Sequence, residues 1–202
     1  MPNLTYNKLV IKNLTDEERK TIIREMQQGD ARYKSICEGD DDSDFDFNNL
    51  IPMPQVLLDV TIGSTTIDGE SVTEWITDEN GKNIAVTEEE RAEWLSKYGA
   101  VNWYDWAIEN WSVKWNASEV QANHDEEMER LTYEFITPWS VPVKVYEAFL
   151  KKYATLFPHM SVSVTYKFED WEDDEYATMC HKCTHESVKH TEISGTIEGL
   201  EI

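Results

Sequence analysis

The sequence predicts an α+β fold: a split β-α-β sandwich, with helices on one face of an antiparallel sheet and a large α/β insertion between its halves. Three observations predict it. A strand-like run at residues 6–14, "YNKLVIKNL", leads directly into a capped helix. Late in the chain, strand, helix and strand follow one another again. Between them, residues 52–130 carry a hairpin and two helices of their own, and no internal repeat or low-complexity linker divides residues 1–202 into separate domains.

The first helix is written in "TDEERKTIIREMQQG". Thr15 and Glu18 stand at the spacing of a capping box, Ile22, Ile23 and Met26 form an apolar stripe, and Gly29 is the expected stop. Next comes "EGDDDSDFDFNNLIPMP", with five aspartates in the seven positions 40–46. Such a run resists packing, so it predicts an exposed loop. Phe45, Phe47, Leu50 and Ile51 then return the chain to the core in a short strand ended by Pro52 and Pro54.

Residues 55–86 predict a β excursion. Leu57, Val60 and Ile62 lead in, and Asn80-Gly81 between two apolar pieces is a hairpin signal. "TEEERAEWLSKYG" repeats the helix grammar, with Thr87 and Glu90 as the capping pair and Gly99 as the stop. Residues 101–116, "VNWYDWAIENWSVKWN", hold four of the eight tryptophans. At 100° per residue, Tyr104, Ala107, Ile108, Trp111 and Trp115 share one sector, so the run predicts an amphipathic helix packed inward. Trp106 lies off that stripe; its exposure beside an apolar patch would mark a partner site.

The last third contains "RLTYEFIT", an alternating strand, and "SVPVKVYEAFLKKYATLF", a helix with Ser140 as N-cap, Pro142 in its first turn and Pro158 beyond its end. "MSVSVTYKF" then sets Met160, Val162, Val164, Tyr166 and Phe168 on one face and Ser161, Ser163, Thr165 and Lys167 on the other. Residues 191–202 predict a further hairpin or edge strand.

Eighteen basic and forty acidic residues give a formal charge of −22. That sign repels nucleic acid and anionic membrane and attracts basic surfaces, including the nucleic-acid-binding grooves of other proteins. Without a basic leader, a run of about 18 apolar residues, or a cysteine count suited to a disulfide framework, the expectation is a cytosolic protein.

Four blocks in order, "DFNNLIPMP", "NWSVKWNAS", "FITPWSVPVKVYEAF" and "FPHMSVSVTYKFED", resemble the YubB-like family of bacteriophages and conjugative plasmids. The resemblance implies a ferredoxin-like fold and a mobile-element origin, and it supplies no catalytic residues. The departure is "MCHKCTHESVKH", which stands where an ordinary hairpin is expected.

That departure supplies a candidate zinc site in Cys180, Cys183, His185 and His190, with His181 as a spare and Cys37 far away in sequence. The ligand types suit zinc. Their crowding is unusual, because a two-residue cysteine spacing normally takes its second pair across a longer loop. An exposed hairpin carrying incidental thiols and imidazoles is the alternative. A calcium loop fails: with Asp40, Asp42 and Asp44 as alternating ligands, Phe45 and Ile51 fall where glycine and glutamate are required.

HExxH, GxSxG, GxxxxGK[ST] and GxGxxG are all absent. The expectation is therefore a non-enzymatic accessory protein binding a host protein with a basic surface. Its concrete form is an anti-defence inhibitor mimicking nucleic acid through Asp40, Asp41, Asp42 and Asp44 and through Glu169, Asp170, Glu172, Asp173, Asp174 and Glu175. A small zinc-stabilised binding module is the alternative.

Overall fold

The computed structural model describes residues 3–27, 44–125, 129–172 and 175–182. Strand β1 (Leu4–Lys12) alternates as its sequence does: Thr5, Asn7, Leu9 and Ile11 are buried, while Tyr6, Lys8 and Lys12 point away. Helix α1 (Asp16–Met26) begins with the expected capping box. The Thr15 N–H donates to Glu18 Oε2 at 2.8 Å, and the Glu18 N–H donates to Thr15 Oγ1. The helix stops at Met26, and Gly29 lies outside the described residues.

Phe45 and Phe47 enter the core completely, as expected. The strand expected after them is absent: residues Phe47–Asn49 form a 3-10 turn, followed by the short helix α2 (Gln55–Leu58). Local hydrogen bonding explains the difference. Asp46 accepts from the Asn48 N–H at 2.9 Å, and the Phe47 carbonyl accepts from the Leu50 and Ile51 N–H groups, so the backbone is satisfied within the turn.

The inserted region builds a three-stranded antiparallel sheet from β2 (Val60–Ile67), β3 (Glu70–Thr77) and β4 (Asn83–Ala85). Asp68 and Gly69 both have positive φ in the two-residue β2–β3 turn, a primed-turn signal beside the Asn80-Gly81 turn read from the sequence. Helix α3 (Glu88–Tyr98) has the expected Thr87 and Glu90 capping box and ends at left-handed Gly99.

The tryptophan run forms helix α4 (Trp103–Trp111), capped by Asn102. Its buried stripe is rotated from the expected one. Trp106, Ala107 and Trp111 are buried, whereas Ile108 is 43% exposed. Ser112 adopts a left-handed conformation and ends the helix, which removes Trp115 from that face.

The principal sheet runs β5-β6-β1-β7-β8 and every pairing is antiparallel. It comprises β5 (Ser118–Asp125), β6 (Arg130–Pro138), β1, β7 (Ser161–Phe168) and β8 (Ala177–His181). The chain leaves β1 through α1 and the insertion and returns in β5, with β6 between them. It leaves β6 through helix α5 (Val143–Leu156) and returns in β7, with β1 between them.

Pro142, not Ser140, stands at the N-cap position of α5 and makes no side-chain capping bond; the Ser140 carbonyl accepts from Thr137 Oγ1 at 2.7 Å. Sheet and helices share one contiguous hydrophobic cluster that runs from Leu9, Tyr133 and Phe149 to Trp94, Trp106 and Trp111. Residues 191–202 lie outside the described residues.

Phe45 stacks on Phe135 at 5.2 Å and meets Tyr133 at 4.8 Å and Phe149 at 6.3 Å between ring centroids. Phe45→Ala should therefore cost about 3–5 kcal/mol, measured by urea denaturation, while Ile108→Ala should cost under about 1. Lys152 Nζ lies 3.0 Å from Glu25 Oε2, and the Tyr153 hydroxyl donates to the same oxygen. Hydrogen bonding to Lys152 holds the Glu25 carboxyl below its ordinary value despite partial burial. A lowered folded pKa stabilises above the unfolded value, and that contribution disappears as pH falls through the folded one. Glu25→Gln should flatten the loss of stability between about pH 5 and 3, followed by thermal melts.

Candidate functional site

The principal sheet turns Tyr6, Lys8, Glu134, Thr165 and Lys167 toward the face opposite Leu9 and Ile11. There a groove of about 380 Å³ is lined by these side chains together with Glu119, Gln121 and Ile136. Lys8 opposes Glu134 across β1 and β6, and the two form an ion pair at its floor. Both ends are about half exposed, so the pair is screened and fixes side-chain position more than it stabilises.

One edge of the sheet end carries the sequence-predicted acidic residues. Glu169, Asp170, Glu172 and Glu175 are all exposed in the connection from β7 to β8, while Asp173 and Asp174 lie outside the described residues. The connection is held firmly. Glu169 donates its N–H to the Leu4 carbonyl at 2.8 Å and accepts the Leu4 N–H on Oε2 at 3.0 Å. Trp171 packs edge-on against Phe168 at 5.0 Å, and Glu175 Oε2 accepts the Glu172 N–H at 3.1 Å. Two of the four described carboxylates, Glu169 and Glu175, are thus held by backbone N–H groups.

Asp44 is elsewhere. It is half-buried, accepts from Gln27 Nε2 at 3.3 Å and lies near the Tyr133 hydroxyl, whose pKa is raised by burial first and by the Asp44 charge second. Tyr133 pairs with Leu9, five residues along β1 from Leu4, to which Glu169 is bonded, so Asp44 and Glu169 neighbour different rows of the sheet. Among the described residues, Glu169, Asp170, Glu172 and Glu175 thus lie in one connection, and Asp44 lies apart from them. Asp40, Asp41 and Asp42 lie outside the described residues.

At the same sheet end, β6 finishes at Pro138, the partner of Leu4, and Trp139 follows with a φ of 67° and 54% exposure. Its N–H donates to the Asn3 carbonyl at 2.7 Å. Lys114 Nζ sits 3.8 Å from the centroid of the Trp115 ring and 4.4 Å from that of Trp139. Two indoles therefore converge on one ammonium.

Of the zinc-type residues, Cys180 is exposed on β8, and Cys183, His185 and His190 lie outside the described residues. His181 is on the opposite face of β8 from Cys180, and burial, reinforced by the Lys182 charge, lowers its pKa. Among the described residues, no group of three or more His, Cys, Asp or Glu side chains is disposed to hold a metal ion. Nor is any helix among them long and apolar enough to cross a membrane.

Sequence reasoning missed the groove and the Trp115–Trp139 pair. The groove was signalled by the polar halves of three alternating strands, which align only once the register is known. The tryptophan pair carried no sequence signal, since the two residues are 24 positions apart and meet through tertiary packing. The chain matches no family model, no curated protein and no solved structure.

Proposed function

We propose that this is a non-enzymatic accessory protein, of phage or plasmid origin, that acts in the host cytosol by binding a basic host protein. Its concrete form is an anti-defence inhibitor whose carboxylates occupy a groove built for nucleic acid. The observation that carries this reading is four exposed carboxylates, Glu169, Asp170, Glu172 and Glu175, beside a backbone that Glu169 clips to β1 and Trp171 packs against Phe168. Charge held in place is ordered before binding, so less conformational entropy is lost on association.

Two further observations support the reading. Among the cations, Lys8, Lys144 and Lys152 are engaged with neighbouring carboxylates, and the whole chain carries a formal charge of −22. The mobile-element origin rests on the four sequence blocks that resemble the YubB-like family.

The test is capture of nuclease-treated bacterial lysate proteins on the immobilised chain, at low and moderate salt. A nucleic-acid-binding protein should be retained, released by salt and displaced by competitor DNA or RNA. The double variant Asp170→Asn, Glu172→Gln should weaken that retention by about threefold or more at low salt. Retention indifferent to salt and to these substitutions contradicts the proposal.

A further inference from the structure

Trp139 is a large aromatic residue with a positive φ, a conformation that bulky side chains adopt only when their surroundings impose it. Its neighbours do so. The Trp139 N–H is bound to Asn3, and the preceding corner is fixed by Thr137 Oγ1, which donates to the Ser140 carbonyl and accepts from the buried Asn7 amide at 2.9 Å. This bracing holds half of an indole in solvent rather than letting it fold onto the core.

The rings of Trp139 and Trp115 converge on a volume already filled by a cation, the ammonium of Lys114. Aromatic faces attract cations through the ring quadrupole, and paired faces around one ammonium are the arrangement by which proteins recognise lysine-type and quaternary ammonium groups. Lys114 is supplied by the residue next to Trp115 and reaches the cage from the molecule's own surface. An incoming cation can therefore replace it without unfolding any element.

The surroundings select the occupant. Leu4 is flanked by Pro138 on one side and hydrogen-bonded to Glu169 on the other, so the tryptophan corner and the acidic connection border the same strand end. With strands spaced about 4.8 Å, the two backbones are about 10 Å apart. An arginine or lysine seated between the indoles would leave the next basic side chains of its segment within reach of Glu169 and Asp170.

We propose that Trp115 and Trp139 form a cation cage, guarded by Lys114, that receives an arginine or lysine side chain from a basic segment of a partner protein. This rests on the basic partner proposed above and names the contact that orients it.

The test uses the full chain and a peptide of eight arginines, titrated by intrinsic tryptophan fluorescence at low and moderate salt, with a peptide of eight serines as control. Octa-arginine should change the fluorescence saturably and the serine peptide should not. Trp139→Ala should weaken binding about fivefold or more, and Trp139→Phe by less. Lys114→Met, which removes the resident charge while keeping the stem, should tighten binding about threefold.

Far-UV circular dichroism of each variant separates loss of the cage from loss of fold. Wild-type affinity in a folded Trp139→Ala protein, or no tightening in Lys114→Met, overturns the cage. The acidic reading is separable, because Asp170→Asn with Glu172→Gln should lower affinity and salt dependence while leaving the effect of Trp139→Ala intact. If only the carboxylate variant weakens binding, the cage falls and the acidic surface stands. If only the tryptophan variants do, the cage stands and the acidic reading falls.

Discussion

Asp46 is a carboxylate with 1% of its surface exposed, and the placement of the surrounding segments depends on how it is satisfied. Burying a charge is tolerable only with a full set of hydrogen bonds. Asp46 Oδ1 accepts from the Asn48 N–H, from Asn48 Nδ2 and, at 2.7 Å, from Asn116 Nδ2. Asn116 Oδ1 accepts in return from the Phe47 and Ala117 N–H groups at 2.9 Å. The Asp46 N–H donates to the Met26 carbonyl at 2.8 Å. One short knot thus joins the end of α1, the 3-10 turn and the entry to β5. Around it, Phe45 packs on the sheet and α5, while Phe47 meets Trp111 of the insertion at 5.7 Å.

A surface acts as a fixed recognition element only if the body beneath it is rigid. A second buried polar chain provides this at the sheet end, where the Tyr146 hydroxyl donates to Asn7 Oδ1 at 2.9 Å and the Asn7 amide donates to Thr137. It ties α5 to the centre of the sheet and sets the corner from which Trp139 projects. The acidic connection is held from the other side of β1 by Glu169. Charge and aromatic surface, the two features on which the proposed functions rest, are therefore placed by hydrogen bonds to the same strand.

Much of this was legible in the sequence. Capping boxes at Thr15 and Thr87, the Asn80-Gly81 turn and the alternation of residues 160–168 are local signals, and the structure repeats them because local preference and burial agree. The mixed α+β class with an antiparallel sheet follows from their order. Reading failed where a side chain competed for the backbone. Asp46 turned an expected strand into a 3-10 turn, and Thr137 claimed the carbonyl of the residue expected to cap α5. In the tryptophan helix the period was right but the phase was not, because termination at Ser112 lies outside what periodicity can indicate. Of the candidate site, the exposure of Glu169, Asp170, Glu172 and Glu175 was readable from composition, whereas the meeting of Trp115 and Trp139 was set by packing alone.

Joined through Asp46, Phe45 and Phe47, the sheet, the helices and the insertion should behave as one body. The direct measurement is equilibrium unfolding in urea followed by two probes. Tryptophan fluorescence is weighted toward the insertion, which holds Trp75, Trp94, Trp103, Trp106, Trp111 and Trp115, and far-UV circular dichroism reports the whole chain. A shared core gives a single coincident transition. Fluorescence that changes at a lower urea concentration than circular dichroism would contradict it, because the insertion would then be unfolding independently of the sheet that it is held to share a core with.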